Sequence, residues 1–164
     1  MTRAVLSIGS NLGDRLAYLR LAVSALGPIV REVSGVYETA PWGVTDQPAF
    51  LNAVVIVDDP LATPRTWLVR AREAEAAAER RRERRWGPRS LDVDIITVDG
   101  CTSTEQELTL PHPMAHRRAF VLLPWAELEP GAVLPGRGDL QTLLAALPAA
   151  ERAGVHLLPG VVLT

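Results

Sequence analysis

Apolar residues along the chain follow two periods, and the points where the period switches mark out its elements. Residues 4–8 (AVLSI) read as a first strand; Gly9, Asn11 and Gly13 then turn the chain into a helix. Leu16, Leu19, Val23 and Leu26 give that helix its apolar stripe, and Gly27-Pro28 ends it. A second strand is expected over about 29–39 and a third over 50–57, separated by the loop APWGVTDQPA and closed by Asp58-Asp59-Pro60. Thr63-Pro64 is an N-cap followed by proline at the first helical position. It opens a long helix whose Leu68, Ala71 and Ala78 can face inward and which ends by about Arg84 in an arginine-dense segment. An apolar strand over about 91–96 follows, and DGCTSTEQ turns into the short strand ELTL. HRRAFVLLPWAEL and DLQTLLAALP read as helices, and the tail GVHLLPGVVLT as irregular or short extended structure.

The order strand, helix, strand, strand, helix, strand is the split βαβ pattern of an α+β, ferredoxin-like βαββαβ core. Such a core is a mainly antiparallel sheet with helices packed on it, and the additional C-terminal helices would form a further layer. A chain of 164 residues that is 48% hydrophobic fits one compact domain, 1–164, with no repeat or linker to divide it.

The fourth strand carries the first sign of chemistry. Side chains in an extended strand alternate faces, so Leu91, Val93 and Ile95 share one face and Asp92 and Asp94 the other. Two like charges about 7 Å apart along one strand repel. They are at ease only in water, beside arginines, or on cations. Magnesium takes oxygen ligands, commonly one or two carboxylates with waters and substrate phosphates, so the pair is an adequate platform for one or two ions.

Charge and composition narrow the partners. The formal charge of -2 implies no general attraction to nucleic acid or membrane. Cys101 is the one cysteine, which rules out an internal disulfide framework and fits a reducing compartment. The start MTRAVLSIGSN lacks a secretory apolar region and no stretch is long enough to span a membrane, so a cytoplasmic protein is expected. All 17 Lys+Arg positions are arginine, which excludes a Schiff-base or P-loop lysine. Phosphate recognition would therefore rest on guanidinium groups.

Those groups cluster. Arg80, Arg81, Arg82, Arg84, Arg85 and Arg89 stand directly before the aspartates, and carboxylate-bound metal beside guanidinium groups is an arrangement that holds a polyphosphate. A solvated basic helix end is the plainer reading of the run. Gly87 and Pro88 make a loop able to swing arginines over a ligand. His112 and His116, four apart, have zinc-pair spacing, but Pro113 between them and the lack of nearby acids favour His112 as a phosphate contact. Phe50 and Phe120 are ordinary core candidates, yet Asn52 and Arg118 beside them could read the edge of a flat heterocycle held between two phenyl faces.

Taken together, SIGSNLGDR, YETAPWGVTDQPAFLNAV, RWGPRSLDVDII and LTLPHPMAHRRAFVLLP resemble the 6-hydroxymethyl-7,8-dihydropterin pyrophosphokinases of folate biosynthesis. The blocks run in family order from about residue 4 to residue 130, and the tail carries little of the likeness. The resemblance implies that Asp92 and Asp94 bind two magnesium ions bridging the triphosphate of ATP, and that Arg80, Arg82 and Arg89 join them in catalysis. Phe50 and Phe120 would sandwich the pterin, with Asn52 and the backbone of Thr39, Ala40, Pro41 and Trp42 at its edge. Arg80, Arg82, Trp86 and Arg89 would belong to a mobile loop closing over the nucleotide. Thr109, His112 and Arg118 would contact ATP, Glu75 would line its site, and Ile95 would border adenine.

The chain departs from the family pattern in places. Glu79-Arg80-Arg81-Arg82 lacks the usual glycine, which leaves the arginine roles open by one position, and Glu107 and Pro113 replace residues that make contacts in some members, so neither contact is carried over. The implied reaction moves the β,γ-pyrophosphoryl group of ATP to the hydroxymethyl oxygen of the dihydropterin, giving AMP. A monomer is the default expectation, because no long exposed apolar stripe is visible, and no nucleic-acid or membrane partner is expected. Two rivals stay open on the residues alone. One is a magnesium-dependent nucleic-acid enzyme; the other is a non-catalytic binding module.

Overall fold

The computed structural model describes residues 2–40, 48–80 and 90–164. In chain order the core elements are β1 (Arg3–Ser10), α1 (Arg15–Leu26), β2 (Val30–Val33), β3 (Tyr37–Thr39), β4 (Phe50–Asp58), α2 (Pro64–Arg80) and β5 (Asp92–Val98). The strands lie in the order β3-β4-β1-β5, with β2 also on β4, and each of these pairings is antiparallel. That is the expected ferredoxin-like arrangement. β1 and β4 sit in the middle of the sheet with apolar layers on both faces, which is why their sequences read as nearly unbroken apolar runs.

Alternation along the central strands divides the core in two. Ala4, Leu6 and Ile8 of β1 point to the side covered by α1 and α2, where Leu19, Trp67 and Ala74 meet them. Val5 of β1, Val54 of β4 and Ile96 of β5 point the other way, into a second core. The chain builds that second layer after β5. It adds the hairpin β6 (Ser103–Glu105) and β7 (Leu108–Leu110), then α3 (Ala119–Leu128), the short pair β8 (Val133–Leu134) and β9 (Gly138–Asp139), and α4 (Leu140–Ala146). Val121, Leu122 and Trp125 of α3 with Leu140 and Leu144 of α4 fill the second core. The tail forms α5 (Ala149–Ala153) and β10 (Val155–Leu157), and β10 extends the sheet beyond β3.

Three details differ from the sequence reading. The single strand expected over 29–39 is broken between β2 and β3. At the break, the Ser34 hydroxyl accepts the N–H of Val54 at 2.9 Å and the Gly35 N–H donates to the Glu127 carboxylate at 3.0 Å, so α3 takes over part of the ladder's work. β6 lies in a segment expected to be a turn, and α5 adds a helix over residues to which the sequence reading assigns no element, between the last expected helix and the tail. The described part of α2 ends at Arg80, so its expected continuation to about Arg84 lies outside the described residues.

A polar clasp ties the far end of α3 to β1. Glu129 accepts the Trp125 indole N–H at 3.0 Å and bonds Arg3, whose guanidinium also lies 3.7 Å from Asp99. The bond from Arg3 holds the Glu129 carboxyl below the ordinary carboxylate range, against the opposing effect of burial. A depressed folded-state pKa means stability that is present above the unfolded pKa and lost as pH falls through the folded one. Glu129→Ala is therefore expected to cost about 1–3 kcal/mol at neutral pH in urea unfolding. The gap from wild type should shrink steadily as the solution is acidified below the carboxylate range.

Candidate active site

Strand register decides what the α3 side of the sheet presents near its open end. Residues directly opposite across antiparallel strands share a face, and Gly9 is opposite both Asn52 and Asp92, while Ser7 is opposite Asp94. These five therefore stand together on one face. α3 does not cover them, and a cavity of about 550 Å³ opens there. Thr39, Ala40 and Phe50 supply its wall from β3 and β4, and Met114, Arg117, Arg118 and Phe120 supply it from the approach to α3. Glu151 of α5 completes the lining.

Asn52 is buried, and its amide Nδ2 donates to the Thr39 hydroxyl at 2.8 Å. Its Oδ1 lies over Gly9 so closely that a Cβ there would sit 2.7 Å away. Gly9 is thus the residue that makes room for the amide, which is why β1 carries a glycine inside a buried strand. Across the cavity floor, Arg118 stands 3.8 Å from Asp94, and its guanidinium lies 5.5 Å from the centre of the Phe120 ring. One side chain thereby connects a carboxylate to an aromatic face.

Asp94 also borders a second cavity of about 230 Å³, against the outer edge of β5. Leu68, Val93, Ile95, Leu108, Thr109 and His112 line it, joined by Gln106, Glu107 and Pro113. The His112 Nδ1 accepts the Met114 N–H at 3.2 Å, so the ring proton is assigned to Nε2. Burial, helped by the charge of Arg118 and opposed by that of Asp94, lowers the His112 pKa and keeps the ring neutral at pH 7. On the same edge, Glu75 accepts the Val93 N–H at 3.0 Å, which occupies a backbone donor of β5.

Most of the residues singled out from sequence converge on these two cavities. Thr39, Ala40, Phe50, Asn52, Asp92, Arg118 and Phe120 line the larger, Ile95, Thr109 and His112 the smaller, and Asp94 both. Glu75 reaches the smaller one through its bond to Val93. Arg80 is exposed at the last residue of α2 and lines neither. Pro41, Trp42, Arg82, Trp86 and Arg89 lie outside the described residues. Among the described residues no three His, Cys, Asp or Glu side chains gather as a metal cage. Asp92 and Asp94, on one face and opening into a cavity, suit a hard cation that draws its other ligands from water and phosphate.

A sequence model of the 7,8-dihydro-6-hydroxymethylpterin-pyrophosphokinase (HPPK) family matches residues 5–130. The chain belongs to this family. It is 51% identical over 169 residues to the 2-amino-4-hydroxy-6-hydroxymethyldihydropteridine pyrophosphokinase of Mycobacterium tuberculosis strain H37Rv, covering 96% of this chain and 90% of that one. It is 45% identical to the protein of the same name from Methylorubrum extorquens, covering 95% and 98%. Its fold is similar to a crystal structure of Plasmodium falciparum HPPK-DHPS, with a TM-score of 0.68 at 15% identity over 88% of this chain. The chain spans 43% of that longer one.

Several cavity residues of this chain carry no role in the sequence reading. Ser7 and Gly9 fall inside SIGSNLGDR, where serine and glycine signal a turn as readily as a wall. Arg117 and Met114 sit beside assigned residues without any pattern of their own. Glu107 and Pro113, whose contacts were not carried over, both line the smaller cavity, and Glu107 also pairs with Arg65 at 3.6 Å.

Proposed function

We propose that this protein transfers the β,γ-pyrophosphoryl group of ATP to the hydroxymethyl oxygen of 6-hydroxymethyl-7,8-dihydropterin, in folate biosynthesis. The hydroxymethyl oxygen bonds to the β-phosphorus, the bond from that phosphorus to the α,β-bridging oxygen breaks, AMP leaves, and the hydroxyl proton is lost to solvent or a base. The observation that supports this reading most is Asp94. It borders at once a cavity with two phenylalanines and a buried amide, and a cavity suited to a nucleotide beside His112.

In this reading Phe50 and Phe120 stack on the two faces of the pterin. The Asn52 amide and the Thr39–Ala40 backbone, with Pro41 and Trp42, take its hydrogen-bonding edge. Ile95 borders adenine, Thr109 contacts the nucleotide, and Glu75 holds the β5 edge that lines its site. The His112 Nε2–H donates to a phosphate oxygen, and a neutral ring does so without adding charge that must later be removed. Arg118 spans from the Phe120 face to the phosphates, and Arg80, Arg82 and Arg89, with Trp86, close over the transferred group. Two magnesium ions held by Asp92 and Asp94 would supply charge neutralisation to the phosphates. In-line positioning of the two substrates by the cavity walls supplies the rest. The unit proposed is a single-domain cytoplasmic monomer; the sheet shared by both helical layers supports the single domain, and the free Cys101 fits a reducing compartment.

AMP release decides the matter. Incubation with ATP, magnesium and 6-hydroxymethyl-7,8-dihydropterin is expected to give one AMP per pterin diphosphate, and none when the pterin is omitted. ATP turnover indifferent to the pterin, or no turnover, overturns the reading.

A further inference from the structure

Residues beyond 130 lie outside the span that the family model matches, yet one short piece of them holds two parts of the larger cavity's wall. Glu151 Oε1 accepts the N–H of Ala119 at 3.2 Å. Ala119 is the first residue of α3, and its N–H is one that the helix cannot satisfy itself. Arg118 at the N-cap makes no side-chain capping bond, so a carboxylate from another element does that work. The residues so anchored are neighbours of consequence: Arg118 and Phe120 flank Ala119 and both line the cavity. Three residues after Glu151, the Gly154 carbonyl accepts the N–H of Ala40 at 3.1 Å, and Val155 pairs with Thr39. Ala119, Tyr37 and Val155 form a small buried cluster with Phe120 packed against it, which joins the two anchors by apolar contact.

We propose that Glu151 is a positioning residue for the pterin. Its carboxylate fixes the start of α3, and with it the Phe120 ring and Arg118, while the chain that follows fixes Thr39 and Ala40. One segment, 151–155, thus sets the spacing between the stacking wall and the wall that reads the pterin's edge. The role rests on the pyrophosphokinase reading above. It is local rather than global, because α5 buries none of its residues and substitution there opens no core.

The test uses Glu151→Ala and Glu151→Gln in the full chain, with steady-state AMP formation, fluorescence titration of 6-hydroxymethylpterin, and thermal melts. Glu151→Ala is expected to raise the pterin KM and Kd about fivefold to tenfold, with the ATP KM rising less, to within about threefold, because Arg118 keeps its own partner in Asp94 at 3.8 Å, and with kcat within about twofold of wild type. Glu151→Gln keeps an oxygen that can accept the Ala119 N–H, and is expected to restore pterin affinity to within about twofold. Wild-type pterin affinity in Glu151→Ala overturns the role. So does a parallel rise in both KM values with a fall in Tm, and so does a Gln variant as impaired as the Ala variant. If the wild-type chain itself makes no pterin-dependent AMP, the pyrophosphokinase reading fails and this role fails with it, a result distinct from a normal Glu151→Ala in an active background.

Discussion

Asp94→Ala is expected to lower kcat for pterin-dependent AMP formation by about 10³-fold or more. Two features of its placement make the loss large. Asp94 is the carboxylate common to both cavities, and its side chain, 44% exposed, is open to a cation and phosphates. Its removal also leaves the Arg118 guanidinium, now 3.8 Å away, without that carboxylate, free to pair with phosphate in an unproductive geometry. In the proposed reading pterin affinity rests on stacking and on the Asn52 and Thr39 edge, so fluorescence titration should stay within about threefold of wild type. Asp94→Asn keeps the shape and loses the charge, and should fall nearly as far. Substitution of a half-exposed aspartate on an edge strand should move Tm by only a few degrees. A kcat within tenfold of wild type in both variants, with the melt unchanged, removes Asp94 from the phosphate machinery.

The aspartate pair was legible in the sequence because strand alternation is a local property. Leu91, Val93 and Ile95 are buried on the α1/α2 side as their spacing demands, which leaves Asp92 and Asp94 to the other face. The same holds for Phe50 and Asn52, two apart on β4. What the sequence hid depends on partners far along the chain. Gly9 reads as the start of a turn, yet β1 runs on to Ser10 because Gly9 finds Asn52 on one side and Asp92 on the other. The break between β2 and β3 is made by Glu127, 92 residues away from Gly35. Glu151 reaches Ala119 over 32 residues, from a five-residue helix too short to show a period. The pattern of residues thus foretold which side chains could do chemistry. It could not foretell the wall that holds them, since a wall is assembled from several elements.

The second large effect is expected at Phe50. Phe50→Ala should raise the pterin Kd about 5- to 150-fold, the range that loss of one stacked aromatic face gives for a heterocycle at roughly 1–3 kcal/mol. The choice of Phe50 over Phe120 follows from their packing. Phe120 leans on the cluster of Tyr37, Ala119 and Val155 and on the second core, so its loss mixes binding with folding. Phe50, the first residue of β4, is packed in none of the apolar clusters of the described residues, and its ring is given to the cavity. Its alanine variant should therefore melt within about 2 °C of wild type. The ATP KM should hold as well, because Phe50 lines only the larger cavity. Phe50→Leu separates area from flatness: a branched aliphatic side chain restores buried surface without a planar face, so it should recover only part of the affinity. A Kd within twofold of wild type in Phe50→Ala would mean that the pterin ring does not rest on Phe50. The larger cavity would then have to hold its ligand by the Asn52 edge and Phe120 alone.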